Sequence, residues 1–356
     1  SGPIHEALTG RRVDGQAELD HLLVSLDGSS NKSRFGANAI LAVSIAFARS
    51  VAKERSIPLW QQFAELVGQQ SAALPQLTIN LFSGGKHAGQ QVAIQDVLIV
   101  PTVAKTIDES LVIAYDVYQK AAKLILERYG MRLLRADEGG LAPPCNTSEE
   151  MIETAIDAIR EAGFEPGREV ALAVDIAATH FHTPEGYKFR TETLSSDQMI
   201  ERIRQWVKRY PIMSVEDGLA ENDWPSWPKL RRSIEDLASV VGDDLLCTNP
   251  ELIRRAITEQ SCNALLLKVN QIGTLTEASE AYLLARRAGW SVTVSVRSGE
   301  TEDNWAADLA VAWGDQFKNG SITQSERLSK YNRLLEIEWD TSLPMRHSPG
   351  IFGRHT

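Results

Sequence analysis

From residue 106 onward the sequence switches repeatedly between two periodicities. Apolar residues at helical spacing predict helices near 106–129, 148–163, 197–209, 250–258, 274–288, 303–313 and 325–333. Between them lie short apolar runs: VALAVDIA, PIMSVEDG, SVVGDDLL, ALLLKVNQ, SVTVSVRSG and DQFKNGS. Such alternation dictates an α/β fold with a parallel sheet, because each crossover helix returns the chain to the same end of the sheet. This many units favours a closed (β/α)8 barrel over an open sheet. Ahead of them, LPQLTINLFSGGKHAGQQVAIQDVLIVP (74–101) is two strand-like runs around a glycine-rich connection, the pattern of a hairpin. The first part is helical: AELDHLLVSLDG closes on Gly28, NAILAVSIAFARSVAKERSIP runs to Pro58, and LWQQFAELVG completes the block.

Every apolar run ends in a charge: Asp175, Glu216, Asp243, Lys268, Arg297 and Lys318, in that order. In a parallel barrel these ends open onto one face. Any single one reads equally as a strand emerging into solvent, but six in succession, three acids and then three cations, predict a shared mouth. Strand alternation puts Ala171, Ala173 and Asp175 on one side, and Leu266, Lys268 and Asn270 on one side of theirs. Three convergent carboxylates repel unless a cation sits among them, and an all-oxygen set suits Mg²⁺ rather than zinc. Lys268 is then a candidate base. Its ordinary pKa is about 10.4, so the expectation is that nearby positive charge (Lys318, a divalent ion) and burial lower it. A base opposite a metal suits removal of a proton beside a carboxylate.

Arg297-Ser298-Gly299, expected just before a helix, offers a planar fork, a hydroxyl and free N–H groups to an anion; a helix cap with a surface arginine is the alternative. SGGKHAG (83–89) is either a plain turn or a loop that brings His87 over the mouth. ADEGGLAPP (136–144) is either an acidic turn or a rigid loop presenting Glu138 as an acid.

The totals set the remaining bounds. A chain of 356 residues exceeds a usual single core. A net charge of −10 with no Lys/Arg block argues against nucleic acid as main partner. Three scattered cysteines support no disulfide framework and point to a reducing, cytoplasmic compartment. No apolar run approaches the roughly 18 residues of a membrane helix. SGPIHEALTG has no signal-peptide pattern, and without an initiator Met the natural start is expected upstream.

SGGKHAG, DEGGLAP, VDIAA, SVEDG, VGDDL, LLLKVNQIGTLTE, RSGETED and SERLSKYNRLL, in this order, resemble the enolase (phosphopyruvate hydratase) family; NKSRFGANAILAVS resembles a helix entry in its N-terminal domain. The likeness covers essentially the whole chain. It implies the helical remainder of an N-terminal α+β capping domain over 1–70, and over 71–356 an enolase-type barrel opened by the antiparallel hairpin. It implies Mg²⁺-dependent, reversible dehydration of 2-phosphoglycerate to phosphoenolpyruvate, as in glycolysis; a lysine or histidine base with Mg²⁺ is the established pairing in enolase-superfamily sites. By motif, Lys268 is the base, Glu138 the acid, His87 a neighbour of the substrate, and Asp96 the carboxylate supporting the acid. Asp175, Glu216 and Asp243 are metal ligands, Arg297 and Ser298 phosphate ligands, and Lys318 binds the substrate carboxylate. A homodimer or higher homo-oligomer is expected.

Four positions depart from the family pattern: Asp96 for glutamate, Val296 for histidine, Gly218 for proline and His180 for glutamate. The family's first strands and its mobile serine-containing loop are expected before residue 1. The departures at Asp96 and Val296 favour an enzyme acting on an altered, phosphorylated or phosphonylated carboxylate, in the manner of carboxyphosphonoenolpyruvate synthase. A non-catalytic binding or structural role is the weakest reading, since base, acid and metal carboxylates all persist.

Overall fold

The computed structural model describes residues 2–69, 71–130, 134–190 and 192–346. Eight strands close into a barrel: β1 (Gln76–Ser83), β2 (Asp96–Pro101), β3 (Val170–Asp175), β4 (Ile212–Glu216), β5 (Ser239–Gly242), β6 (Ala264–Leu267), β7 (Ser291–Ser295) and β8 (Gln316–Lys318). β2 runs antiparallel to both β1 and β3, whereas the other neighbours pair in parallel, β8 closing onto β1. The reversal has a chemical consequence. It places the start of β2, not its end, at the level where the parallel strands finish, so Asp96 pairs with Asp175 and Asp175 with Glu216 in one lateral row.

The period-2 pattern divides the barrel residues between two environments. Ala171 and Ala173 point inward with Leu98, Val100 and Met213, and Val241, Ala264 and Leu266 form a second inner cluster. Val170, Leu172 and Val174 face outward into the main core under the helices. Small residues below Asp175 leave the barrel's upper end to polar groups.

The helices fall close to their expected positions: Ile107–Tyr129, Ser148–Glu161, Ser196–Arg209, Pro250–Glu259, Leu275–Arg287, Trp305–Trp313 and Ser325–Asp340, the last running seven residues beyond prediction. Helix Trp227–Ile234 and the short Pro3–Leu8 were not anticipated. In Trp227–Ile234, Pro228 sits in the first helical turn, where a missing N–H costs nothing. Lys268 begins a single helical turn, Val269–Ile272, so Asn270 does not continue the strand alternation with Leu266 and Lys268 as expected.

Helices Gln16–Asp27, Ala37–Glu54 and Leu59–Leu66 dock on the barrel's outer helices. Leu41, Ile45, Ala48, Phe63 and Ala64 join the main core. Polar ties cross the contact: Thr276 N donates to Asp20 Oδ2 at 2.9 Å, Lys32 pairs with Glu277 at 2.8 Å, and Trp313 Nε1 donates to the Phe63 carbonyl at 2.8 Å. A three-stranded sheet of short strands (182–183, 186–188, 193–194) follows β3. No helix among the described residues is long and apolar enough to cross a membrane.

Candidate active site

The barrel mouth gathers five of the six strand-end charges into two hydrogen-bonded groups, one around Lys318 and one around Lys268. Lys318 Nζ donates to Asp175 Oδ2 at 2.8 Å and to both Glu216 oxygens at 2.8 and 2.7 Å. Lys268 Nζ donates to Asp243 Oδ2, whose other oxygen accepts from Gln271 at 2.9 Å. Gln95 Nε2 donates to Asp175 at 3.1 Å. Lys318 thus offsets part of the charge of Asp175 and Glu216, and Lys268 part of that of Asp243.

Electrostatics follow from this crowding. Burial opposes the charge on Lys318, but Asp175 and Glu216 outweigh it and hold the ammonium well above its ordinary pKa. Burial alone would raise Asp175; Lys318 instead brings it down. Glu216 is pushed up by burial and by the charges of Asp175 and Asp243, so carboxylate charge here exceeds what two ammonium groups offset. Among this chain's own groups burial works to lower Lys268 as expected, but Asp243 and Glu216 prevail over burial and over Lys318 and raise its pKa above the usual range; the divalent ion of the expectation would act in the opposite sense.

A second cluster adjoins these groups, Asp96 lying beside Asp175 in the lateral row. Asp96 is fully buried at the head of β2 and accepts from Asn80 Nδ2 at 2.8 Å, Ser83 Oγ at 2.7 Å and His87 Nδ1 at 2.9 Å. The turn 83–89 therefore does carry His87 into the site. His87 Nε2 lies 4.0 Å from Glu138 Oε1. Burial disfavours the imidazolium, yet the hydrogen bond and charge of Asp96, helped by Glu138 and Asp175, raise its pKa to about 9. Glu138 is buried on a loop pinned from several sides: Ser321 N donates to the Glu138 carbonyl at 2.9 Å, and Thr323 Oγ1 to the Gly139 carbonyl at 2.8 Å. Gly139 adopts φ +84, and a Cβ on Gly140 would fall 2.7 Å from Asn80 Oδ1, so the two glycines are required where the loop crosses β1.

Arg297 and Ser298 stand apart from these clusters. Both are exposed at the rim after β7, and the nearest following helix begins only at Trp305, so no helix start adjoins Ser298 as expected. Val296 is buried in the main apolar core under the helices. Gly218 is closely covered by Leu230 and Ile203, leaving little room for a larger residue. His180 is exposed on the turn after β3; partial desolvation and then the charge of Lys86 hold its pKa down.

Sequence reasoning passed over several contributors. Asp217 accepts the backbone N–H groups of Asp243 at 3.0 Å and Asp244 at 2.8 Å, fixing the turn that presents Asp243; burial and then those two carboxylates push its pKa well up. Asp217, Cys247 and Thr248 all have positive φ, a strained geometry gathered at the strand ends beside the site. Asn80 and Ser83 were also missed, since only folding reveals that they share Asp96. Among the described residues, two trios bring ligand-type atoms within 4.8 Å of one another: Asp217, Asp243 and Asp244, and His87, Asp96 and Glu138. Asp175, Glu216 and Asp243 form no such trio as they stand, because Lys318 and Lys268 hold them. Their chemistry nonetheless fits a hard divalent cation: all donors are oxygens, buried, and overcharged as a group.

A barrel whose mouth gathers lysines, carboxylates and a buried acid is equipped for acid–base chemistry at the end of its strands, as in the class of barrel enzymes. Family models agree: residues 1–63 match "Enolase, N-terminal domain" and residues 71–345 match "Enolase, C-terminal TIM barrel domain". The chain is 45% identical over 355 residues to Enolase 1 of Methylococcus capsulatus, covering 99% of this chain and 82% of that protein. It is 41% identical over 349 residues to Enolase B of Dictyostelium discoideum, covering 94% and 78%. The chain belongs to the enolase family and is a phosphopyruvate hydratase-like carbon–oxygen lyase.

Proposed function

We propose that this enzyme carries out the Mg²⁺-dependent, reversible loss of water from 2-phosphoglycerate or a close phosphorylated carboxylate. The observation that carries the reading is the convergence on one mouth of the Lys268/Lys318/carboxylate groups and the Asp96–His87–Glu138 set. Lys268 takes the proton beside the carboxylate once its ammonium has given up its own proton and its contact with Asp243. Glu138, buried beside the His87 imidazolium, delivers a proton to the departing hydroxyl. Asp96 holds His87 in position, and Arg297 and Ser298 take the phosphate at the rim. Asp175, Glu216 and Asp243 would hold the Mg²⁺, which when bound supplies positive charge where the substrate carboxylate gains negative charge. Lys318 then turns from Asp175 and Glu216 toward that carboxylate.

The altered-substrate reading keeps one specific support: Val296 is apolar and buried immediately before Arg297, so the wall beside the rim anion site offers no side-chain donor there. A single assay separates the two. Phosphoenolpyruvate formation from 2-phosphoglycerate, followed by ultraviolet absorbance with added Mg²⁺ and in EDTA, should be metal-dependent. Robust turnover removes the case for an altered substrate; turnover unaffected by EDTA sinks the metal assignment.

A further inference from the structure

The helix Ser325–Asp340 carries two cations that the reaction does not touch. Arg327 and Lys330 both have fully buried side chains. Burying a cation is costly unless its hydrogen bonds are well met, and an apolar side chain would ordinarily serve packing better. Arg327 has only a loose carboxylate neighbour, Glu326 at 3.8 Å. Its donors go instead to backbone: Nη1 to the Arg297 carbonyl at 3.0 Å and Nη2 to the Ser298 carbonyl at 2.7 Å. Lys330 extends the tie, donating to the Thr301 carbonyl at 2.8 Å and pairing with Glu300 at 3.1 Å. Gly320, with φ +78, lets the Arg327 stem pass: a Cβ there would lie 3.2 Å from its Cδ and Nε.

Peptide geometry turns this anchoring into a statement about ligand binding. No peptide bond described is cis, and in a trans peptide the N–H of the next residue points opposite to the carbonyl. With the carbonyls of Arg297 and Ser298 drawn down to Arg327, the N–H groups of Ser298 and Gly299 point away from it, toward the side where these residues lie exposed. Neither N–H has an acceptor among the described residues. Two successive outward N–H groups beside an arginine form an anion cradle.

We propose that Arg327, assisted by Lys330, is a positioning residue that sets the peptide polarity of the 297–301 loop and so creates a backbone N–H pair, from Ser298 and Gly299, for the substrate's phosphate. The proposal rests on the reading that this loop is the phosphate site.

Arg327→Gln, Arg327→Lys and Arg297→Ala should be compared with the parent enzyme for KM and kcat on 2-phosphoglycerate, calorimetric binding of inorganic phosphate, and circular dichroism as a fold control. Arg327→Gln should raise KM and the phosphate Kd by about tenfold or more, with kcat held within about threefold. Arg327→Lys, whose shorter side chain keeps the charge but lacks the planar two-nitrogen fork, should recover part of the loss. A folded Arg327→Gln enzyme with parental KM and phosphate affinity overturns the proposal, as does a fall in kcat and melting temperature at unchanged KM. Should the Gln variant not fold, Arg327→Lys decides on the same criteria. Unchanged phosphate affinity in Arg297→Ala would instead remove the phosphate-site reading itself.

Discussion

Replacing His87 by Gln should change how stability depends on pH. In the folded protein the imidazole is enclosed between Asp96 and Glu138 and its pKa is raised to about 9; unfolded, it returns to the ordinary value near 6.5. The folded state therefore binds the proton more tightly. That contribution is fully present below about pH 6.5 and is lost as pH rises through about 9. The shift corresponds to about 3 kcal/mol, released at about 1.4 kcal/mol per pH unit across the window. Urea unfolding, followed by tryptophan fluorescence from about pH 6 to about pH 10, reads it directly. The parent protein should lose stability steeply between the two values, and His87→Gln should lack that component while starting lower. If the two proteins give parallel profiles across this range, His87 is not held as an imidazolium and its assigned place beside the acid loses its electrostatic support.

Further outcomes follow from the contacts at the mouth. Lys268→Ala should abolish exchange of the substrate's α-proton with solvent, measured by deuterium incorporation, without weakening Mg²⁺ binding, because it frees Asp243 from its ammonium partner; persistent exchange would place the base elsewhere. Gly140→Ala should push Asn80 off Asp96, costing about 1–3 kcal/mol by overpacking and lowering turnover by about 10²-fold; unfolding curves and kinetics at one pH check both. Asp217→Asn leaves one of two buried N–H groups facing an amide NH₂ and should cost about 1–3 kcal/mol while weakening Mg²⁺ affinity by calorimetry; unaltered affinity would mean that the turn before Asp243 needs no such brace.

Much of the barrel was legible because its cues are local. Periods of two and 3.6 residues, glycine at a helix end and proline in a first turn all act within a few residues. They located every barrel strand and most helices, and they put Asp175 and Glu216 at strand ends. Helix Trp227–Ile234 was missed, although Pro228 in its first turn is compatible with a helix start. The glycines of SGGKHAG and ADEGGLAPP left turn and site equally open, because nothing nearby distinguishes a loop in solvent from one folded over a mouth.

The charged partners of those residues belong to a different scale. Lys318 meets Asp175 across 143 residues and Glu216 across 102, and which oxygen receives its proton depends on barrel closure. The reversed β2 strand, not any motif, brings Asp96 level with Asp175. A raised rather than lowered Lys268 likewise depends on how near Asp243 comes, a distance no spacing in the chain encodes. The amino-acid order alone fixed the alternation of elements and the kinds of group at their ends, since propensity and patterning are short-ranged. Only the closed barrel decided which of those groups share a proton, because Coulomb and hydrogen-bond energies fall off over a few ångströms of real space and take no account of separation along the chain.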